Sequence, residues 1–111
     1  MAYDALLADR LRATLAPRSD LVELRMFGGL GFTLHGNMAC GVAKDELIAR
    51  LGPEGSEEAI RHAGVREFDF TGRPMRGWVM VERPAWEPEG ALEGWVDRAL
   101  AFAETLPAKK K

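Results

Sequence analysis

Tyr3, Leu7, Leu11 and Leu15 recur at every fourth position of YDALLADRLRATLA, with Leu6 beside them. That spacing lines one face of a helix, and Asp4 is placed to cap its start. PRSD ends the helix, and from Leu21 the period shifts towards that of a strand. The pattern then predicts a meander of short strands over Phe32–Leu34, Met38–Val42 and Leu47–Leu51, the last entered through a Lys44–Asp45 turn. GPEGSEEAIRHAG carries the signals of a short helix: Pro53 and Ser56 near its start, His62 in its last turn and Gly64 where a terminating glycine belongs. VREFDF and GWVMVE alternate as strands do, and TGRPMR between them reads as a loop punctuated by Gly72 and Pro74. Leu92, Trp95, Val96, Ala99, Leu100, Ala103 and Leu106 keep the i, i+3, i+4, i+7 rule, which predicts a closing amphipathic helix ended by Pro107.

The element order is therefore α-β-β-β-α-β-β-α, an α+β arrangement in which helices cover one face of an antiparallel sheet. The length of 111 residues suits one domain, 1–111, with an ordered core over 3–106 and a basic tail over 107–111. Fifteen Lys and Arg residues against seventeen Asp and Glu leave a net charge of −2, so no overall field draws the chain to nucleic acid or anionic lipid. A single cysteine excludes an intrachain disulfide. The N-terminus has acidic residues where a signal peptide carries a basic region, and no stretch reaches the roughly 18 apolar residues of a spanning helix. The expected compartment is the cytoplasm.

The densest stretch chemically is MFGGLGFTLHGNMACGV, Met26 to Val42. A dinucleotide-binding turn needs a helix after its glycines to hold the phosphates, and here a strand and a turn follow. Gly28 and Gly29 are instead expected to allow a bend or bulge at positive φ. His35 and Gly36 fit a two-residue hairpin turn, with Asn37 able to shift the register by one. Cys40 lies mid-strand, where a free cysteine behaves as a small buried hydrophobe; as a nucleophile it would need a neighbouring base or helix N-terminus to lower its pKa. Cys40, His35 and His62 are too few for a metal site, and no cofactor is implied. Arg25, Arg50, Arg66, Arg73 and Arg76 could gather into an anion-binding patch with Trp78 as a stacking surface, although Glu67, Asp69 and Glu82 interleave with them. In GRPMRGWV, Met75 and Trp78 are either core residues or adaptable apolar groups beside a loop, the composition of an interaction surface that would include Arg73 and Arg76.

RMFGGLGFTLHGNMACGV, DFTGRPMRGWVMV and LEGWVDRALAFAETLP, in that order, resemble the TfoX/Sxy family over nearly the whole chain from Tyr3 to Lys110. The family pattern falls on Met26, Phe27, Gly28, Gly29, Gly36, Gly72, Arg73, Pro74, Met75 and Trp95, none of them a catalytic group. The resemblance implies a two-layer α/β fold of the secretion-chaperone-like kind, α-β(3)-α-β(2)-α. It also implies the N-terminal domain of regulators that promote competence-gene expression with the catabolite-activator protein, here as a single-domain member lacking the second, helical domain. The expectation is a non-enzymatic regulatory or protein-interaction module with a protein partner, such as transcription machinery, and a tendency to form homodimers. Two alternatives stand beside it: a small ligand-binding protein or enzyme with a pocket near Arg73–Trp78 and Cys40, and weak nucleic-acid binding through the arginine patch.

Overall fold

A computed structural model describes residues 3–26, 29–68 and 75–107. Helix α1 (Ala5–Leu15) is followed by strands β1 (Leu21–Met26), β2 (Gly29–Leu34), β3 (Asn37–Ala43) and β4 (Glu46–Arg50). Helix α2 (Gly52–Ala59), strands β5 (Val65–Phe68) and β6 (Met75–Val81), and helices α3 (Arg83–Trp86) and α4 (Ala91–Glu104) complete the described elements. The six strands form one sheet in the order β1-β2-β3-β4-β6-β5, every neighbouring pair antiparallel. The α+β class with helices on an antiparallel sheet is as expected. The meander holds four strands, because Leu21–Met26 pairs along its whole length with β2.

Local chemistry explains the joints. The Leu7 amide donates to the Asp4 carboxylate at 2.9 Å, the expected cap of α1. His35 (φ 52°) and Gly36 (φ 86°) form the two-residue turn of the β2–β3 hairpin, closed by Leu34 opposite Asn37. A register shift between Phe32 and Thr33 leaves Ala39 as an extra residue in β3. Gly29 differs from expectation. It is not among the positive-φ glycines; a Cβ there would instead run into the Val42 carbonyl oxygen, so its role is to admit a close backbone approach between β2 and β3. Phe27, Gly28, Gly72, Arg73 and Pro74 lie outside the described residues.

Alternation along the strands creates two apolar layers. Leu30, Phe32 and Leu34 of β2, Cys40 and Val42 of β3, Leu47 and Ala49 of β4, and Val79 and Val81 of β6 belong to the main core. Leu7, Ala8, Leu11 and Leu15 of α1 and Leu92, Trp95, Val96, Ala99, Leu100 and Ala103 of α4 cover them. Leu6 stays 47% exposed, because it lies off the buried stripe that α1 presents at positions 7, 8, 11 and 15. On the opposite face Ala43, Ile48, Phe68 and Met80 form a second buried cluster, with Met38 and Trp78 packed against it.

Helix α3 was not foreseen, and it carries Trp86, a fully buried aromatic of the main core. The indole Nε1 donates to the Asp45 carbonyl at 2.9 Å, tying α3 to the β3–β4 turn. The guanidinium groups of Arg10 and Arg83 lie over its ring at 5.5 and 5.1 Å. Arg83 also pairs with Asp4 and Glu87, both at 2.9 Å, which joins the start of α1 to α3.

Replacing Trp86 with Ala is expected to lower unfolding free energy by about 3–5 kcal/mol in urea titrations. Trp86→Phe keeps most of the volume and isolates the lost hydrogen bond to Asp45, at about 1–3 kcal/mol. Acid should also destabilise the fold. The backbone amide of Leu7 holds the Asp4 carboxyl below its ordinary value of 3.8, Arg18 does the same for Asp20, Arg12 holds Glu23 below 4.5, and His62 with Arg98 holds Glu58 below 4.5. Lowered folded-state pKa values stabilise the fold above the unfolded values and lose that contribution as pH falls through the folded ones. Thermal melts should therefore show a melting temperature that is flat above those ordinary values and declines below them.

Candidate interaction site

The residues singled out around Met75–Trp78 meet where the ends of β4 and β6, the start of α2 and the C-terminal half of α4 converge. Gly77 adopts φ 94°, a conformation that glycine reaches without strain, and its carbonyl accepts from the Leu51 amide at 2.8 Å. This ties the β4–α2 junction to β6 and sets the position of Trp78, which lies opposite Arg50 in the β4–β6 ladder. The Trp78 ring is half-buried, tilted against Phe68 with centroids 5.9 Å apart. The Arg50 guanidinium lies 5.2 Å over Trp78 and 5.7 Å from the Phe102 ring, bridging two strands and α4. One side of Trp78 thus supports the second core cluster and the rest borders solvent.

Arg76 is exposed and makes no ion pair with the described residues. Between β6 and α2 lies a cleft of about 50 Å³, bordered by Ser56, Glu57, Ile60, Glu67, Arg76 and Trp78. Ligand pockets commonly measure about 300–1,000 Å³, so this cleft admits a protruding side chain better than a metabolite. A shallow depression of about 450 Å³ between α1 and α4 is bordered mostly by polar and charged side chains, Arg10, Thr14, Glu93 and Asp97, with Ala13. Arg73 falls outside the described residues, and Met75 opens β6.

The pocket expected to join Arg73–Trp78 with Cys40 does not include Cys40. Cys40 is fully buried with the helix-side core, whereas Trp78 packs with the cluster on the other face. Desolvation pushes its thiol up to about 12, the reverse of what a nucleophile needs. Among the described residues the patch arginines do not gather in one place either. Arg25 sits on β1 at one edge of the sheet and Arg66 on β5 at the other, where Arg66 pairs with Glu46 at 2.6 Å and Glu82 at 3.5 Å. Arg50 is committed to its aromatic rings.

Trp95 is structural. It lies in the main core, its Nε1 donates to the Ala85 carbonyl at 3.2 Å, and Arg98 lies 5.0 Å over its ring. His62 meets that ring edge-on at 5.6 Å and bonds the Glu58 carboxylate at 2.8 Å, just beyond the end of α2. His35 is an exposed turn residue. Among the described residues no three His, Cys, Asp or Glu side chains gather as metal ligands. Nor is any helix among them long and apolar enough to cross a membrane. Sequence reasoning singles out Arg76 and Trp78, and groups Arg50 with Trp78 only as part of an anion-binding patch; it misses Phe102, the second ring under the Arg50 guanidinium. No local signal links positions 50, 78 and 102; the β4–β6 pairing and the packing of α4 on the sheet bring them together.

Cys40 should resist a water-soluble disulfide reagent in the native protein and react fully once urea unfolds it. Rapid labelling without denaturant would show that the thiol is accessible.

A search of curated proteins and a search of solved structures return no significant match. A family model does match: the TfoX N-terminal domain, over residues 13–103.

Proposed function

Because this chain belongs to the TfoX N-terminal domain family, we propose that it acts as a non-enzymatic protein-interaction module in bacterial gene regulation, working in the cytoplasm. The family match over residues 13–103 carries the proposal, and it spans every described strand and helix from the last turn of α1 to the last turn of α4. The family has no known enzymatic activity. In this reading the contact surface is the start of β6, with Arg76 and Trp78 as its described members and Arg73 and Met75 beside them in the sequence. Arg and Trp are the residue types that most often anchor protein interfaces, since each combines a large apolar area with directional polar contact. Ile60, 39% exposed on the far wall of the cleft, extends the surface. The partner is a protein, with transcription machinery the first class to examine.

The test is affinity capture from source-cell extract with the parent chain, Arg76→Glu and Arg73→Glu, bound proteins being identified by mass spectrometry and confirmed with purified components. The expected result is a defined partner bound by the parent chain and weakened about tenfold or more by either reversal, with melting temperatures unchanged. A partner that ignores both reversals would remove this surface from the proposal. A specific thermal shift with a metabolite panel and no protein partner would replace it with a ligand-binding role.

A further inference from the structure

The two edges of the sheet are unequal. At one end β5 is four residues long, has an irregular register against β6, and its Arg66 is engaged by Glu46 and Glu82. Shortness, irregularity and charge are the usual protections of an exposed edge. At the other end β1 has neither of the first two: LVELRM is six residues long and pairs with β2 without a register shift; it contains neither proline nor lysine, and its two charges, Glu23 and Arg25, are of opposite sign. Two of its apolar residues, Val22 at 56% and Leu24 at 44%, are the most exposed large hydrophobics of the sheet among the described residues. An antiparallel edge strand also offers outward the N–H and C=O groups of every second residue.

We propose that β1 pairs antiparallel with β1 of a second copy of this chain, joining two six-stranded sheets into one. The order of charges along the strand selects the occupant and the register. Glu23 and Arg25 share one face of β1 and Val22 and Leu24 the other, because strand side chains alternate. A twofold pairing that keeps like faces together is centred on a residue. Centring on Glu23 sets two glutamates opposite each other, and centring on Arg25 sets two arginines opposite each other. Centring on Leu24 sets Glu23 opposite Arg25 of the second copy twice over, Leu24 opposite Leu24, and Val22 opposite position 26. This register puts opposite charges on one face and apolar residues on the other, both favourable as cross-strand pairs.

The side chains are prepared for it. Arg12 of α1 donates from Nε and an Nη nitrogen to the two carboxylate oxygens of Glu23, both at 3.0 Å, which holds that side chain in place. An ionised carboxylate has about four acceptor positions, so Glu23 can still receive a second guanidinium. Arg25 has no ion-pair partner among the described residues, and the pairing supplies one. The inference does not depend on the regulatory reading, since it concerns the opposite edge of the sheet from Trp78.

Light scattering and sedimentation equilibrium on the full chain over a concentration series test it. The parent should reach twice the 12.2 kDa chain mass and dissociate on dilution. Arg25→Glu should weaken the dimer roughly tenfold or more, since it sets like charges opposite each other at both symmetric positions. The charge swap Glu23→Arg with Arg25→Glu in one chain should restore it. A mixture of the Glu23→Arg and Arg25→Glu single variants should form a heterodimer that neither makes alone. Leu24→Lys, an exposed change that tests the apolar side of the seam, should favour the monomer with its circular dichroism unchanged. A parent that stays monomeric at every concentration overturns the proposal. So does a dimer indifferent to Arg25→Glu and Leu24→Lys, or a folded charge-swap variant and a mixture that both fail to associate.

Discussion

The centre of the sheet has to be dry on both sides. Leu47, Ile48 and Ala49 are consecutive and all buried, as are Val79, Met80 and Val81 opposite them. Consecutive strand residues point to opposite faces, so a single helical layer cannot cover them. Helices α1 and α4 close one side, and the Phe68–Met80–Ile48 cluster packs the other. Much else follows from that division. Cys40 is drawn into the helix-side core, where burial raises its thiol pKa, while Trp78, one position out of phase with Val79, is turned to the opposite face and borders solvent at its rim.

The sequence made the long elements legible and left the short ones obscure, for a physical reason. The six residues of α4 named from helical spacing and buried in the core, Leu92 through Ala103, are its whole buried set, because a fourteen-residue helix repeats its stripe often enough to be read. The hairpin at His35–Gly36 was equally plain, since few residue pairs tolerate two positive φ angles. Helix α3 has four residues and no repeat to display, so Trp86 went unnoticed although it is among the most buried side chains. Strand β1 alternates charge with exposed hydrophobics, a pattern that shows extension without showing which strand it joins.

The candidate site was legible by residue type and obscure in its assembly. Arg76 and Trp78 stood out as an arginine and an aromatic beside a loop. The arginines that could have formed one patch do not all meet among the described residues, because Arg25 and Arg66 lie on opposite edges of a sheet ordered β1-β2-β3-β4-β6-β5. Gly29 shows a related ambiguity. A glycine is required both where φ turns positive and where another backbone comes too close for a Cβ, and the letter alone does not distinguish the two.

The insertion of β6 between β4 and β5 has a consequence for how the chain reaches this structure. Pairings among β1 to β4 are made by neighbours in sequence, each closing a short loop. The central ladder sets Ile48 opposite Met80, so the whole of α2 and β5 must be looped out before it can form. Loop closure of that length adds conformational entropy cost that the local hairpins never meet. The N-terminal meander is therefore the cheap half of the sheet to assemble and the arrival of β6 the expensive step, while Leu47, Ile48 and Ala49 wait for the strand that makes them interior.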